Sequence, residues 1–486
     1  MIHTFEVRYD LDRSSAKYCI NRLQYIARTY SPLFGRVRYK SPQEIKEYLK
    51  GDRKSLFYYM ENLFLGLHHI KFTKFRINET SADYYIRFKI EPEVFITQNY
   101  QLNLFQCNEN NFDALQRHWA EMIYRFFPCV FDHRPIEGCN DLLSPEERRH
   151  NQDIEDRYRY RLLINKEDRK HYIRRRLYNL PYLGLASKVL RCDYTIDFYC
   201  EHPEVYLKLV QQSYFDYDRK KRKRYLPKGK YLAAYNKDVD GIVIYDKQKK
   251  LMLPRYNNKP NIEGLIQSAA NTMRIEYVFK CKSRKKQIKF TGLNLPPKRP
   301  GVPKPSLCGM MPYIIQDLGA GRLREEYYKH IGGGQWVSDY YFKRAVTESG
   351  LTRSMRRKLM EAAYLISQAR HMDTAEQQFV EGCIIQRSHG QDLFVGGLSA
   401  GTFRGYVNRI RNLGLQPLRI PETDNWKENG QTITHVSSEY DDFTLVDIGV
   451  AQHPVYDLVA PDGSRFPNYD STISDLKDLY NRYRAR

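Results

Sequence analysis

Three short segments hold residues able to do chemistry on a phosphodiester. They are "VLRCDYTIDFYC" (189–200), "GIVIYDKQ" (241–248) and "MRIEYVFK" (273–280). Side chains in a strand alternate between faces. Alternation puts Asp193 and Asp197 on one face of the first segment, Tyr245 and Lys247 on one face of the second, and Arg274 and Glu276 on one face of the third. If the segments share a sheet, one face gathers a tyrosine, a lysine and two carboxylates. Carboxylates from neighbouring strands can hold a hard divalent cation, which polarises a phosphate. A tyrosine hydroxyl, with its ordinary pKa of about 10, becomes a competent nucleophile when a nearby cation favours the phenolate. Attack on a DNA phosphodiester would leave a phosphotyrosine on one fragment and a free hydroxyl on the other. Asp193 and Asp197 lie four residues apart, about 13 Å along a strand, too far to share one ion. Asp193 with Glu276 is therefore the expected metal pair, with Asp197 as an outer alternative.

The elements that must position these groups are short alternating strands. The opposite face of each segment is apolar: Tyr194, Ile196 and Phe198; Ile242 and Ile244; Met273, Ile275 and Tyr277. Such one-sided patterning points to an antiparallel sheet. The segment "LNLPPKRPGVPKPSLCGMMP" (293–312) holds six prolines among basic residues and reads as an extended linker. Helical spacing dominates after it. The expected fold class is α+β, an antiparallel-sheet nuclease module followed by a mainly helical DNA-binding domain. The expected divisions are a β-rich N-terminal region (1–145), a catalytic core (146–292), the linker (293–312) and the helical domain (313–486).

Bulk properties narrow the function classes. The chain has 486 residues and a formal net charge of +22, with 42% hydrophobic and 14% aromatic residues. That composition builds real cores, and the excess charge calls for a polyanionic partner. No run of about 18 apolar residues suggests a bilayer span, and the charged start "MIHTFEVRYDLDR" does not read as a signal peptide. Nine cysteines without a CxxC pair read as reduced thiols in a cytoplasm. The basic cluster Arg219, Lys220, Lys221, Arg222, Lys223 and Arg224 lies just before the tyrosine strand, and "KCKSRKK" (280–286) follows the third. Both read as phosphate-backbone contacts, together with Lys89, Arg191 and Arg274. The adjacent pair His68–His69 lacks the His-x-His spacing of histidine-bearing nicking sites, and "IGGGQW" (331–336) lacks the Gly-Lys-Ser/Thr of a nucleotide cradle.

The segment "LSAGTFRGYVNRIRNLGLQP" has helical grammar: Ser399 or Thr402 as a cap, Gly414 as the terminator, and Phe403, Tyr406, Val407, Ile410 and Leu413 as the buried stripe. Arg404, Asn408 and Arg411 share the opposite face. Preceded by "SMRRKLMEAAYLISQARHM", this reads as the recognition helix of a helix-turn-helix unit or, equally, as a plain amphipathic helix.

Taken in order, an "RxD" strand, a "YDK" strand, an "RxE" strand and a basic C-terminal region resemble the rolling-circle replication initiators. The resemblance is to the filamentous-phage gene II-type replication proteins and related plasmid initiators. It extends to "YYIRFKIEPEVF", with its Lys-x-x-Pro turn from Lys89 to Pro92, and to the helix ending at Gly414. It implies that Tyr245 becomes linked to the 5′ phosphate, that Lys247 neutralises the scissile phosphate, and that Asp193 and Glu276 hold Mg²⁺ or Mn²⁺. It further implies site-specific nicking and rejoining of one strand of origin DNA, a 3′-hydroxyl that primes a host polymerase, a host helicase, and the cytoplasm of a bacterial host. A homodimer is compatible with it. Plasmid members place the nucleophile one strand earlier, which keeps Tyr231 and Tyr235 as alternatives. Two other readings stand beside it: a non-catalytic DNA-binding protein such as a plasmid repressor or partition factor, and a recombinase or transposase using a tyrosine nucleophile.

Overall fold

A computed structural model describes residues 1–11, parts of 16–24, 40–50, 55–59, 66–76, 82–97, parts of 102–119, 188–213, 222–225, 231–236, 241–257, 261–280, 320–386 except 370, 392–420 and most of 427–446. The segment 145–180, the expected linker 293–312, and Arg219, Lys220 and Lys221 lie outside the described residues. The chain forms two compact units. One comprises Met1–Tyr194, Phe279–Ala320 and Ile448–Arg486, the other Thr195–Val278 and Gly321–Asp447. The units thus interleave along the chain, and residues 195–278 join the helical segment rather than the N-terminal strands.

In the first unit, strands β1 (Ile2–Leu11), β2 (Ser55–Tyr59), β3 (Leu67–Arg76) and β4 (Ala82–Ile90) form an antiparallel sheet in the order β2-β3-β4-β1. Helices α1 (Pro42–Lys50) and α2 (Pro92–Thr97) accompany them. Alternation on β1 buries Phe5, Val7, Tyr9 and Leu11, and Trp119 stacks on Tyr9 while its indole N–H donates to the Tyr9 hydroxyl at 2.8 Å. The sheet meets α2 closely at Gly66, whose φ is +64°. A Cβ there would lie 2.4 Å from the Glu91 carbonyl oxygen, so only glycine fits. Strand β5 (Lys188–Tyr199) pairs with β1 through its first part, bringing Thr4 opposite Asp193.

The second unit begins within β5. Antiparallel strands β6 (Arg222–Tyr225), β7 (Tyr231–Asn236), β8 (Gly241–Asp246) and β9 (Thr272–Lys280) follow, in the order β9-β8-β7-β6. Helix α3 (Pro203–Ser213) covers the apolar face, with the Tyr206 ring 5.5 Å from Phe198. Between β8 and β9 run the short helices α4 (Lys247–Leu251) and α5 (Ile262–Ser268). Beyond them come α6 (Ala320–His330), β10 (Gln335–Val337), α7 (Asp339–Glu348), α8 (Arg353–Ala369), α9 (Met372–Glu381), the hairpin β11 (Cys383–Gln386) and β12 (Asp392–Val395), and α10 (Ala400–Asn412). An aromatic cluster of Phe198, Tyr206, Tyr327, Trp336 and Phe443 forms the core here. The Tyr206 and Tyr327 hydroxyls are hydrogen-bonded at 2.8 Å, and Trp336 donates to Ser213. The architecture is therefore mixed α/β, with extensive antiparallel sheet and several helices. Among the described residues no helix is long and apolar enough to cross a membrane.

The first unit carries a pH-sensitive position. Burial, followed by the charges of Lys89, His68, Lys71 and Arg87, lowers the His69 pKa to about 3. The unfolded chain takes up this proton near pH 6.5 and the folded chain refuses it until about 3. The contribution is thus complete above about 6.5 and is lost as pH falls from there toward about 3. Replacing His69 by Asn should flatten that part of the profile, measured as the urea midpoint against pH.

Candidate active site

Register across β7, β8 and β9 sets Tyr231 opposite Tyr245 and Tyr245 opposite Arg274. On the far side of β9, Arg274 forks onto Asp197 of β5, with Nε and Nη2 each 2.5 Å from a carboxylate oxygen. This face bears the polar groups that alternation assigns to it, but it is dry. Tyr245 is 3% exposed, Arg274 1%, Asp197 2% and Glu276 6%. A charged face can be dry when its charges pair at hydrogen-bond distance. Burial works against the Arg274 charge, yet Asp197 overrides it and raises the guanidinium's pKa.

At the centre is a three-membered arrangement. The Tyr245 hydroxyl donates to Glu276 Oε1 at 2.5 Å and accepts from Lys250 Nζ at 2.5 Å. Lys250 Nζ also lies 3.8 Å from Glu276 Oε1 and 3.8 Å from the tyrosine ring centroid. Burial first, and then the Glu276 charge, push the Tyr245 pKa well above its ordinary value, with Arg274 opposing. The resting hydroxyl is therefore protonated, and its proton already points at a carboxylate.

Lys250 is the residue the sequence reading missed. Strand alternation was carried through Lys247, whereas β8 ends at Asp246. The Asp246 side chain accepts from the Lys249 N–H at 3.0 Å and starts α4. Lys247 is therefore the first residue of a helix and is buried, not a strand residue beside Tyr245. One helical turn then returns Lys250 to the tyrosine. The available signal was an Asp followed by "KQKKL", a cap before helix formers.

The expected metal carboxylates have other partners. Asp193 accepts from Arg191 Nε at 2.7 Å and from the Thr4 hydroxyl. Both oxygens of Asp197 face Arg274, and Glu276 takes the tyrosine proton. As arranged, Asp193, Asp197 and Glu276 do not fit the ligand set of a divalent ion. Among the described residues, no three His, Cys, Asp or Glu side chains are placed to hold one.

The expected DNA contacts divide by position. Arg274 is interior and held by Asp197, so the expectation that it touches phosphate is corrected. Arg191 is partly exposed and bound to Asp193. Lys89 is half-buried, opposite Glu6 and His69 in register. Of Arg222, Lys223 and Arg224 on β6, and of Tyr231 and Tyr235 on β7, the backbone alone is described. On α10, Ser399 accepts from the Thr402 N–H and Phe403, Tyr406, Val407 and Ile410 are buried, as the helical spacing predicts. Its basic residues serve as tethers, however. Arg404 forks onto Glu376 at 2.7 and 2.8 Å, and Arg411 donates to the Ile331 carbonyl at 3.0 Å. Asn408 is exposed. A helix-turn-helix joins its helices by a short turn, whereas α9 and α10 are separated by the β11–β12 hairpin, which corrects that expectation. The glycines of "IGGGQW" pack closely, Gly334 with φ +113° against Leu415.

Charge is also unevenly placed. Residues 321–447 hold 16 Lys and Arg against 16 Asp and Glu, so the whole excess of +22 lies elsewhere in the chain. No family model matches the chain, and no curated protein or solved structure matches it either.

The Asp197–Arg274 pair sets a stability expectation. Asp197→Asn strands a buried guanidinium and should cost about 3–5 kcal/mol, whereas the double replacement Asp197→Leu with Arg274→Met should recover most of that loss. Urea unfolding of the two variants checks this.

Proposed function

We propose that the protein is a DNA strand-nicking and rejoining enzyme that starts rolling-circle replication, with Tyr245 as its nucleophile. One observation carries the reading: the Tyr245 hydroxyl is held between a carboxylate that can take its proton and an ammonium that can steady the resulting phenolate. Glu276 acts as the general base, contributing roughly 10²–10⁴-fold. Lys250 offsets the negative charge that develops on the phenolic oxygen. Tyr245 attacks the phosphorus, the P–O3′ bond breaks, and a 5′-phosphotyrosine forms. The departing 3′ oxygen takes a proton from water, and the proton on Glu276 passes to solvent, which restores the base. The ester keeps the energy of the broken bond, so the 3′-hydroxyl can attack it later and reseal the strand without ATP.

Two further features support this. The charge excess supplies an electrostatic footprint for a polyanion. Its absence from residues 321–447 directs the footprint to the remainder of the chain, which includes the cluster at 219–224. Tyr245 is covered by Lys250, so DNA reaches it when α4 moves aside. The setting is the bacterial cytoplasm, with a host polymerase extending the released 3′-hydroxyl and a host helicase opening the duplex.

The test is incubation with single-stranded or supercoiled origin DNA, with Mn²⁺ or with a chelator, and mapping of the peptide–DNA adduct by mass spectrometry. Tyr245→Phe should abolish the adduct, Glu276→Gln should slow its formation roughly 10²–10⁴-fold, and Tyr231→Phe and Tyr235→Phe should leave it. An adduct on Tyr231 or Tyr235 would move the nucleophile to β7. DNA binding without any adduct would favour a non-catalytic DNA-binding protein. Loss of the adduct in chelator would restore the divalent ion expected from the resemblance.

A further inference from the structure

An apolar face lies on the β11–β12 hairpin. Ile384 and Phe394 stand directly opposite each other across the two strands, and each is 66% exposed. Val380 at the end of α9 is 44% exposed, and Leu398 before α10 is 48% exposed. The Phe394 ring rests on glycine backbone. A Cβ on Gly382 would meet it at 2.6 Å and one on Gly397 at 3.7 Å, so the ring lies flat on the segments that carry Val380 and Leu398. Isolated exposed apolar residues are ordinary, whereas a gathered set of them marks an interaction surface.

The hairpin is also a sheet of two strands alone, with no further strand beside it among the described residues. Two-stranded sheets are marginal in water. Natural edge strands are commonly blocked by Lys or Pro, and "CIIQ" and "DLFV" contain neither.

Charge selects the occupant. A chain at +22 repels its own copy across most of its surface. The hairpin sits in the segment whose 16 basic and 16 acidic residues cancel. Two copies can approach there without that repulsion, and a polyanion gains no net attraction there. We propose that the face formed by Val380, Ile384, Phe394 and Leu398 docks a second copy of this chain, the same face being used by both copies about a two-fold axis. Four side chains fall short of a standard interface of about 800 Å² per partner, so the dimer is weak and concentration-dependent. This does not depend on the activity proposed for Tyr245.

Sedimentation equilibrium of the full chain over a range of concentrations tests it. The wild-type mass should rise from monomer toward dimer, and more readily at high salt, where like-charge repulsion is screened. The variant Ile384→Ser with Phe394→Ser should remain monomeric throughout, with an unchanged circular dichroism spectrum and melting temperature showing that it is folded. Should that variant fold poorly, Val380→Ser with Leu398→Ser should weaken the dimer at least several-fold. A wild type that stays monomeric at every concentration would overturn the proposal, as would a folded double variant that dimerises like wild type. Unchanged mass with lost affinity for single-stranded DNA would also overturn it, assigning Phe394 to base stacking instead.

Discussion

The buried fork between Arg274 and Asp197 is the interaction on which the polar face of the second unit depends. Two unit charges excluded from water would each cost several kcal/mol, a large share of the roughly 5–15 kcal/mol that stabilises a whole domain. Paired at 2.5 Å through two parallel hydrogen bonds, they satisfy each other. That pairing lets β9 lie beside β5 with charged side chains inside. It also sets a fixed positive charge across from Tyr245, partly offsetting the burial and the carboxylate that keep the phenol protonated.

A tyrosine in such a place is held, not merely packed. Its hydroxyl meets Glu276 and Lys250 at once, and the low dielectric around them strengthens both contacts. The arrangement resolves a problem that burial creates. A phenol whose pKa is pushed up ionises reluctantly in water, so a nucleophile there needs a base in contact and a cation to receive the charge. The carboxylates expected to hold a metal instead answer to Arg191, Arg274, Thr4 and Tyr245, which makes this a site organised by the protein's own cations.

Charge placement separates the two ends of the molecule's chemistry. The helical segment 321–447 uses its arginines internally, Arg404 on Glu376 and Arg411 on a carbonyl, and has no net charge. Helical spacing alone had put these side chains on an outward face. Spacing gives the direction of a side chain from its own helix, and says nothing of a carboxylate approaching from another.

What the sequence by itself determined was local. Period-two alternation located β5, β8 and β9 and sorted their faces, because neighbouring side chains on a strand must point opposite ways. Capping chemistry located α10, with Ser399 at its start and Gly414 in the left-handed conformation at its end. Tyr245 and Glu276 were legible for the same reason. Only the tertiary structure decided that this face is dry, that Lys250 and not Lys247 meets the tyrosine, and that residues 195–278 belong with the helices beyond 320. Each of these turns on a contact between residues far apart in the chain, or on where a strand yields to a helix. The periodicity of a single segment carries no record of either.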